Sequence, residues 1–166
     1  MKTTISVAVV ALLALTSCKT TKNYKINSKS GTQVQGTADF IQTGKNVKMD
    51  LMVYKLTPGK HAVHIHEKGD CSATDASSAG GHWNPSGHDH GKWESDKFHM
   101  GDIGNITADA EGKSRFVFDT DKWCLGCKDE NKNILGKSLI IHAKADDFHT
   151  QPTGNAGGRV ACVEIK

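Results

Sequence analysis

Val47-Lys48-Met49-Asp50-Leu51-Met52-Val53-Tyr54 is the stretch on which the fold turns. Val, Met, Leu and Val at the odd positions alternate with Lys, Asp, Met and Tyr at the even ones. A period of two puts each set on its own face of a β-strand, so this is a strand with one largely apolar face. The same period starts upstream at Val34. Downstream, Pro58-Gly59 marks a turn and Ala62 to His66 a further strand. Ile103 to Thr107 and Ser114 to Phe118 flank Asp109-Ala110-Glu111-Gly112, which reads as a hairpin loop. Leu139 to His142 and Val160 to Ile165 are the last two strong strands. No segment carries a sustained helical stripe. Many short strands with glycine-rich connections predict an all-β sandwich or barrel, and 166 residues suffice for one domain with a sizeable core.

Residues 67 to 99 break the pattern. They have no apolar period and are rich in Gly, Ser, Asp and His. A loop this long cannot offset the entropy of ordering it by its own burial. The chemistry-bearing residues supply a reason for order: His64-Ile65-His66, His82, His90, His99-Met100-Gly101-Asp102 and, much later, His142. Imidazole nitrogen is the usual ligand for copper and zinc, and a carboxylate is an accepted further zinc ligand. His64 and His66 share one face of their strand, so one ion can touch both. Metal held at His82, His90 and His99, with a disulfide from Cys71, would fix the loop.

The two ends and the cysteines speak to the compartment. Met1-Lys2 is a short basic start, and the apolar run Ile5 to Leu15 is too short to span a bilayer. Leu15-Thr16-Ser17-Cys18 resembles the lipobox of bacterial lipoproteins, in which the cysteine is lipidated and becomes the first residue. Residues 1–17 are read as a signal peptide, 18–30 as a lipidated N-terminus with a polar tether, and 31–166 as the functional domain. The plainer alternative is an ordinary secretory signal; either way the domain leaves the cytoplasm. Cys71, Cys124, Cys127 and Cys162 suggest disulfides in an oxidising compartment. Four cysteines allow three pairings, and Cys124 and Cys127 are close enough to pair with each other. The net charge of +3 is modest and its basic residues are spread out, which argues against nucleic acid. Membrane attachment would come from lipid on Cys18, not from a basic face.

Several segments together resemble the Cu,Zn superoxide dismutase family from about residue 31 to the C-terminus. They are His61-Ala-Val-His64-Ile-His66-Glu-Lys-Gly-Asp-Cys71, Ser78-Ala-Gly-Gly-His82-Trp-Asn-Pro85, His99-Met-Gly-Asp102-Ile-Gly-Asn-Ile-Thr-Ala-Asp109, His142-Ala-Lys-Ala-Asp-Asp147 and Gly154-Asn-Ala-Gly-Gly-Arg159-Val-Ala-Cys162. The resemblance implies a flattened eight-stranded Greek-key β-barrel with two long functional loops. It implies dismutation of superoxide to dioxygen and hydrogen peroxide, with one copper and one zinc per subunit. Copper would lie with His64, His66, His82 and His142, and zinc with His82, His90, His99 and Asp102, so that His82 bridges the two. Arg159 would guide the anionic substrate, and His82 would handle a proton in the cycle. Asp146 would link a copper histidine to a zinc histidine, and Cys71 would pair with Cys162. The family also implies a monomer or a homodimer, and the lipobox a periplasmic or surface location.

Three features depart from the family pattern. The segment between Asp147 and Gly154 is shorter and less charged than in eukaryotic members, with Lys144 a local substitute for their steering residues. Trp123-Cys124-Leu125-Gly126-Cys127 lies outside the pattern. It superficially resembles the redox motif of thioredoxins, but it follows a strand rather than opening a helix, so a local structural disulfide is expected. His88 and His149 are additional histidines; the step from His82 to His90 matches the family and favours His90 over His88. A structural hydrogen bond near the site is expected for His61, and loop packing for Trp83 and Trp93. Two other function classes share some of these features: a non-catalytic copper/zinc-binding protein, and a thiol–disulfide oxidoreductase working through Cys124 and Cys127.

Overall fold

Alternation in sequence becomes alternation in burial: Val47, Met49, Leu51 and Val53 are fully enclosed while Tyr54 is exposed. The computed structural model describes residues 19–166. The segment 1–17 and Cys18, read above as signal peptide and lipid attachment point, lie outside the described residues. Nine strands follow in chain order: β1 (Lys19–Lys25), β2 (Asn27–Ser28), β3 (Gln35–Thr43), β4 (Asn46–Tyr54), β5 (Gly59–His66), β6 (Gly104–Ala108), β7 (Ser114–Thr120), β8 (Ser138–His142) and β9 (Arg159–Glu164). They form two antiparallel sheets, ordered β1-β3-β4-β7 and β2-β9-β8-β5-β6. Phe40, Met49 and Leu51 from the first sheet meet Ile65, Ile106, Leu139 and Ile141 from the second in one core. The chain changes sheet on either side of β2, between β4 and β5, between β6 and β7, and between β7 and β8, giving the Greek-key path of a flattened barrel.

Two expectations are corrected. The segment 19–30 is not a free tether. Lys19–Lys25 pairs along its whole length with β3, from Lys19↔Thr43 to Lys25↔Thr37. Asn27–Ser28 then pairs with β9, so the chain changes sheet at buried Ile26, whose N–H donates to the Gly36 carbonyl at 3.0 Å. Counting β1 and β2 as one interrupted strand restores the eight strands expected. The second correction concerns Asp109–Gly112, which is a tight turn but not a hairpin. The Asp109 N–H donates to Lys113 O at 2.9 Å, yet β6 pairs with β5 while β7 pairs with β4 in the opposite sheet. The turn is a corner between sheets, pinned by the Leu56 N–H donating to Gly112 O at 3.0 Å. Gly112 has φ +74°, and a Cβ there would lie 2.3 Å from Leu56 O, so the corner requires glycine.

β5 positions the site. Val63 and Ile65 point into the core, and His64 and His66 onto the outer face. That outer face is nevertheless buried, because the chain between β5 and β6 folds over it. A disulfide between Cys71 and Cys162 fastens this covering segment to β9.

Candidate metal centre

The covering segment is zipped to the end of β5 by main-chain hydrogen bonds. The Trp83 N–H donates to Ile65 O at 2.8 Å, the Ile65 N–H to Gly101 O at 2.9 Å, and the Gly101 N–H to Trp83 O at 3.0 Å. A Cβ on Gly101 would sit 2.1 Å from Ile65 O, so only glycine permits this approach. The zipper brings His82 beside β5: its ring centroid is 4.0 Å from that of His64 and 5.0 Å from that of His66. His142, at the end of β8, completes this side, with its ring centroid 4.9 Å from that of His64. On the other side of His82 stand His90 at 5.3 Å and His99 at 5.5 Å, centroid to centroid.

The ligand-capable atoms of His64, His66, His82 and His142 lie within 4.8 Å of one another, and so do those of His82, His90, His99 and Asp102. These are the two sets expected from the sequence, and His82 is in both. All seven residues are buried. Exposed His88 and His149 belong to neither group.

Hydrogen bonding determines which nitrogen of each ring is free. His64 Nε2 lies 2.9 Å from Asp146 Oδ2, and His90 Nε2 lies 2.9 Å from Asp146 Oδ1. His66 Nδ1 is 2.9 Å from Gly80 O, His99 Nε2 is 3.1 Å from His88 O, and His142 Nδ1 is 3.3 Å from Gly157 O. These five rings therefore each engage one nitrogen outside the cluster and aim the other into it, the arrangement that orients metal-binding histidines. His82 engages neither nitrogen outside: Nδ1 faces Asp102 Oδ1 at 2.8 Å, and Nε2 is buried without a hydrogen-bond partner. Buried His64 Nδ1 and His82 Nε2 have no hydrogen-bond partner among the described residues, whereas His90 Nδ1 lies 3.0 Å from Asp102 Oδ2. An unsatisfied buried polar atom costs about 1–3 kcal/mol, and two in one cluster fit a site that cations complete. The donor set fits as well, with nitrogens alone in one group and three nitrogens with one carboxylate in the other.

The electrostatics point the same way. Burial pushes the His82 imidazole down to about 4, despite the raising effect of Asp102. Burial likewise lowers His64, His66 and His142. Neutral imidazole is the ligating form. His90 differs: burial lowers it, but Asp102 and Asp146 together outweigh that and raise it to about 9. Burial acts to raise Asp102 and Asp146, yet their imidazole partners hold both well below the ordinary carboxylate range. Asp102 Oδ2 also accepts the His99 N–H at 2.7 Å and the Gly91 N–H at 3.1 Å.

Arg159 donates through Nη1 to Ala76 O and through Nη2 to Gly80 O, both at 2.6 Å. Gly80 O thus faces both Arg159 and His66. The Cys71–Cys162 bridge packs with Ala76 and Ala79 beside this contact. His61 holds the main chain of His142, with Nδ1 2.8 Å from His142 O and Nε2 2.8 Å from Thr57 O. Trp83 joins the main core, and half-buried Trp93 packs against it. Cys124 and Cys127 form the local disulfide, and no helix follows them among the described residues, which removes the setting a thiol–disulfide oxidoreductase needs.

Three contributors escape sequence reading. Asn105 fixes Asp146 from β6: its Oδ1 accepts the Asp146 N–H at 2.7 Å, and its Nδ2 donates to Asp146 O at 2.9 Å. Gln151 clasps the His90 main chain, accepting its N–H and donating to its carbonyl, both at 2.8 Å. Gly154 leaves the space that the Asp146 carboxylate occupies. Asn105 and Gly154 lie in segments that carry the family resemblance, but composition and period reveal no role for them; Gln151 lies outside those segments.

Residues 34–165 match the family profile described as "Copper/zinc superoxide dismutase (SODC)". The chain is 37% identical over 173 aligned residues to the extracellular Cu-Zn superoxide dismutase of Caenorhabditis elegans, covering 95% of this chain and 76% of that one. It is 37% identical over 141 residues to the Cu-Zn superoxide dismutase of Deinococcus radiodurans, covering 78% and 76%. To the extracellular Cu-Zn superoxide dismutase of Drosophila melanogaster it is 38% identical over 142 residues, covering 81% and 76%.

Proposed function

We propose a division of labour among the site residues that starts from one fact: the chain belongs to the copper/zinc superoxide dismutase family. It is an oxidoreductase that dismutates superoxide to dioxygen and hydrogen peroxide, with copper and zinc as cofactors. Copper supplies alternating one-electron reduction and oxidation, which redox-silent zinc cannot.

His64, His66, His82 and His142 would hold copper, the nitrogens left free being His64 Nδ1, His66 Nε2, His142 Nε2 and His82 Nε2. His82, His90, His99 and Asp102 would hold zinc. The observation that carries this reading is the His82 ring, which belongs to both groups, with Nδ1 on Asp102 and Nε2 buried and unpartnered. That Nε2 is also the atom at which a proton can reside during turnover. Asp146 holds the His64 and His90 rings in the correct tautomer. Arg159 is permanently charged and fixed by two carbonyls, which suits it to receive a small anion.

Export is supported by the two disulfides and by the extracellular naming of the nematode and insect relatives. Residues 1–17 act as the signal peptide, and Cys18 carries the lipid that anchors the domain in the bacterial envelope, in the periplasm or at the cell surface. Both four-residue groups come from one chain, so forming them does not require the homodimer that the family allows.

Metal analysis of the purified mature protein, paired with a superoxide-consumption assay, tests the site. One copper and one zinc per chain, with activity following copper content, is the expected outcome. A fully loaded but inactive sample would favour the metal-binding alternative. Fatty-acid labelling that is lost in Cys18→Ser tests the anchor.

A further inference from the structure

We propose that Trp123, braced by the Cys124–Cys127 disulfide, is a positioning residue of the zinc site. This rests on the assignment of His82, His90, His99 and Asp102 to zinc. Trp123 is buried in the connection between β7 and β8, with about 1% of its surface exposed. Its indole Nε1–H donates to Met100 O at 3.1 Å. Met100 lies in sequence between His99 and Asp102, and the adjoining Gly101 is already bonded to Ile65 and Trp83. The indole therefore fixes the turn that carries two of the four zinc-group residues.

The same ring also reaches the other flank of His99. Trp123 lies 5.8 Å from Trp93, centroid to centroid, and 5.0 Å from Phe118 at the end of β7. Trp93 in turn lies 5.2 Å from Phe98 and 5.0 Å from Phe118. Trp93 and Phe98 both sit between His90 and His99 in sequence. The zinc-binding stretch is thus clamped to β7 by aromatic packing on one side of His99 and by an indole hydrogen bond on the other. The three contacts of Trp93, with Phe98, Phe118 and Trp123, are edge-on and have defined orientations, so they fix position as well as bury area.

The disulfide explains how Trp123 holds its own place. A bridge between residues three apart removes less chain entropy than Cys71–Cys162 with its separation of 91, and its constraint is local. It rigidifies the turn directly after Trp123. That turn is tied down further: the Cys124 N–H donates to Lys132 O at 2.8 Å, and the Leu125 N–H to Gln42 Oε1 at 2.7 Å. The Gly126 N–H donates to Asn133 Oδ1 at 2.9 Å. Trp123-Cys124-Leu125-Gly126-Cys127, unexplained by the reaction itself, becomes a brace for the zinc ligands.

The test places cobalt(II) at the zinc position of the full mature protein, where its visible d–d bands report ligand geometry. Wild type is compared with Trp123→Phe, which keeps a ring but loses the N–H, and with the double variant Cys124→Ser/Cys127→Ser. Both variants are expected to shift the cobalt bands and to release zinc to a chelator roughly tenfold faster, the size of effect typical of residues that orient metal ligands. The copper(II) paramagnetic resonance spectrum should stay close to wild type. A lower melting temperature with unchanged cobalt bands and zinc release would overturn the proposal, leaving Trp123 a packing residue only. Should Trp123→Phe fail to fold, the double serine variant decides alone by the same criteria. Wild type that takes up cobalt without tetrahedral bands would refute the zinc assignment, and this inference with it.

Discussion

Gly154 stands so close to Asp146 that a Cβ built on it would lie 1.9 Å from Asp146 Oδ1. It would also lie 2.6 Å from His90 Nε2, so the glycine opens the space in which the carboxylate meets that imidazole. Its φ of +67° adds a second reason for glycine. Gly154→Ala should displace the carboxylate and weaken metal retention by about 10- to 100-fold. Competition with a chelator for zinc and copper checks this. Asp146→Ala should act in the same direction on both metals, because the carboxylate contacts His64 on one side and His90 on the other. Wild-type retention in both variants would show that the ligand rings hold their orientation unaided.

His142 and Asp102 separate the two groups. His142 belongs only to the copper group, so His142→Ala should lose copper and activity while zinc remains. Asp102 belongs only to the zinc group, and its Oδ2 also accepts two main-chain N–H donors, from His99 and Gly91. Asp102→Ala should lower zinc content and speed amide exchange over residues 84–101, with copper less affected. Metal analysis and hydrogen exchange together read the outcome; equal loss of both metals in both variants contradicts the division.

Arg159→Ala should retain both metals but consume superoxide more slowly. A positive group at a confined site raises encounter rates by roughly ten- to a thousandfold, so the salt dependence of turnover should flatten as well. Arg159→Lys should rescue only part of the rate. One ammonium cannot reproduce the planar fork that donates to Ala76 O and Gly80 O together. Turnover at the wild-type rate with unchanged salt dependence in Arg159→Ala would falsify the guidance role.

Much of this was legible in sequence because it depends on side-chain pattern. The alternation around Leu51 marks β4, and the His64-Ile65-His66 spacing puts two imidazoles on one strand face. The features that were missed depend on backbone pairing at long range. β1 has only exposed and half-buried side chains, so it carries no apolar stripe, yet its ladder with β3 makes it a strand. Asp109–Gly112 looks like a hairpin because the turn chemistry is local, whereas the choice of sheet for β6 and β7 is made by partners far along the chain. Asn105 and Gln151 act through main-chain contacts, which leave no trace in composition or period.

Gln151 lies within the short segment between Asp147 and Gly154, where this chain departs from the eukaryotic pattern. Its amide group closes a two-bond clasp on the His90 main chain from a different loop. Gln151→Ala should release that clasp and lower zinc affinity without altering the ligand set. Gln151→Glu should restore acceptance from the His90 N–H but not donation to the His90 carbonyl, giving an intermediate affinity. Zinc titration against a chelator distinguishes the three proteins, and identical affinities would remove Gln151 from the supporting structure of the site.

Acid should destabilise the metal-stripped protein earlier than the loaded one. Burial lowers His64, His66 and His142, and takes His82 from 6.5 to about 4. As pH falls below 6.5 the unfolded chain binds protons that the native chain refuses, so stability declines, continuing for His82 to about pH 4. For His82 alone the full effect is of the order of 3 kcal/mol. His90 has the opposite sign. Raised to about 9, its contribution is complete below 6.5 and lost as pH rises toward 9, so it does not drive the acid loss. Asp102 and Asp146 are lowered, so their contribution holds above the ordinary carboxylate range and fades only at lower pH. Urea denaturation of stripped protein at pH 7, 6, 5 and 4 should therefore show a falling midpoint across the whole series. Bound metal competes with protons for the same nitrogens, so the loaded protein should hold its midpoint to lower pH. A flat midpoint for stripped protein from pH 7 to pH 4 would mean that the four imidazoles are not held neutral by burial.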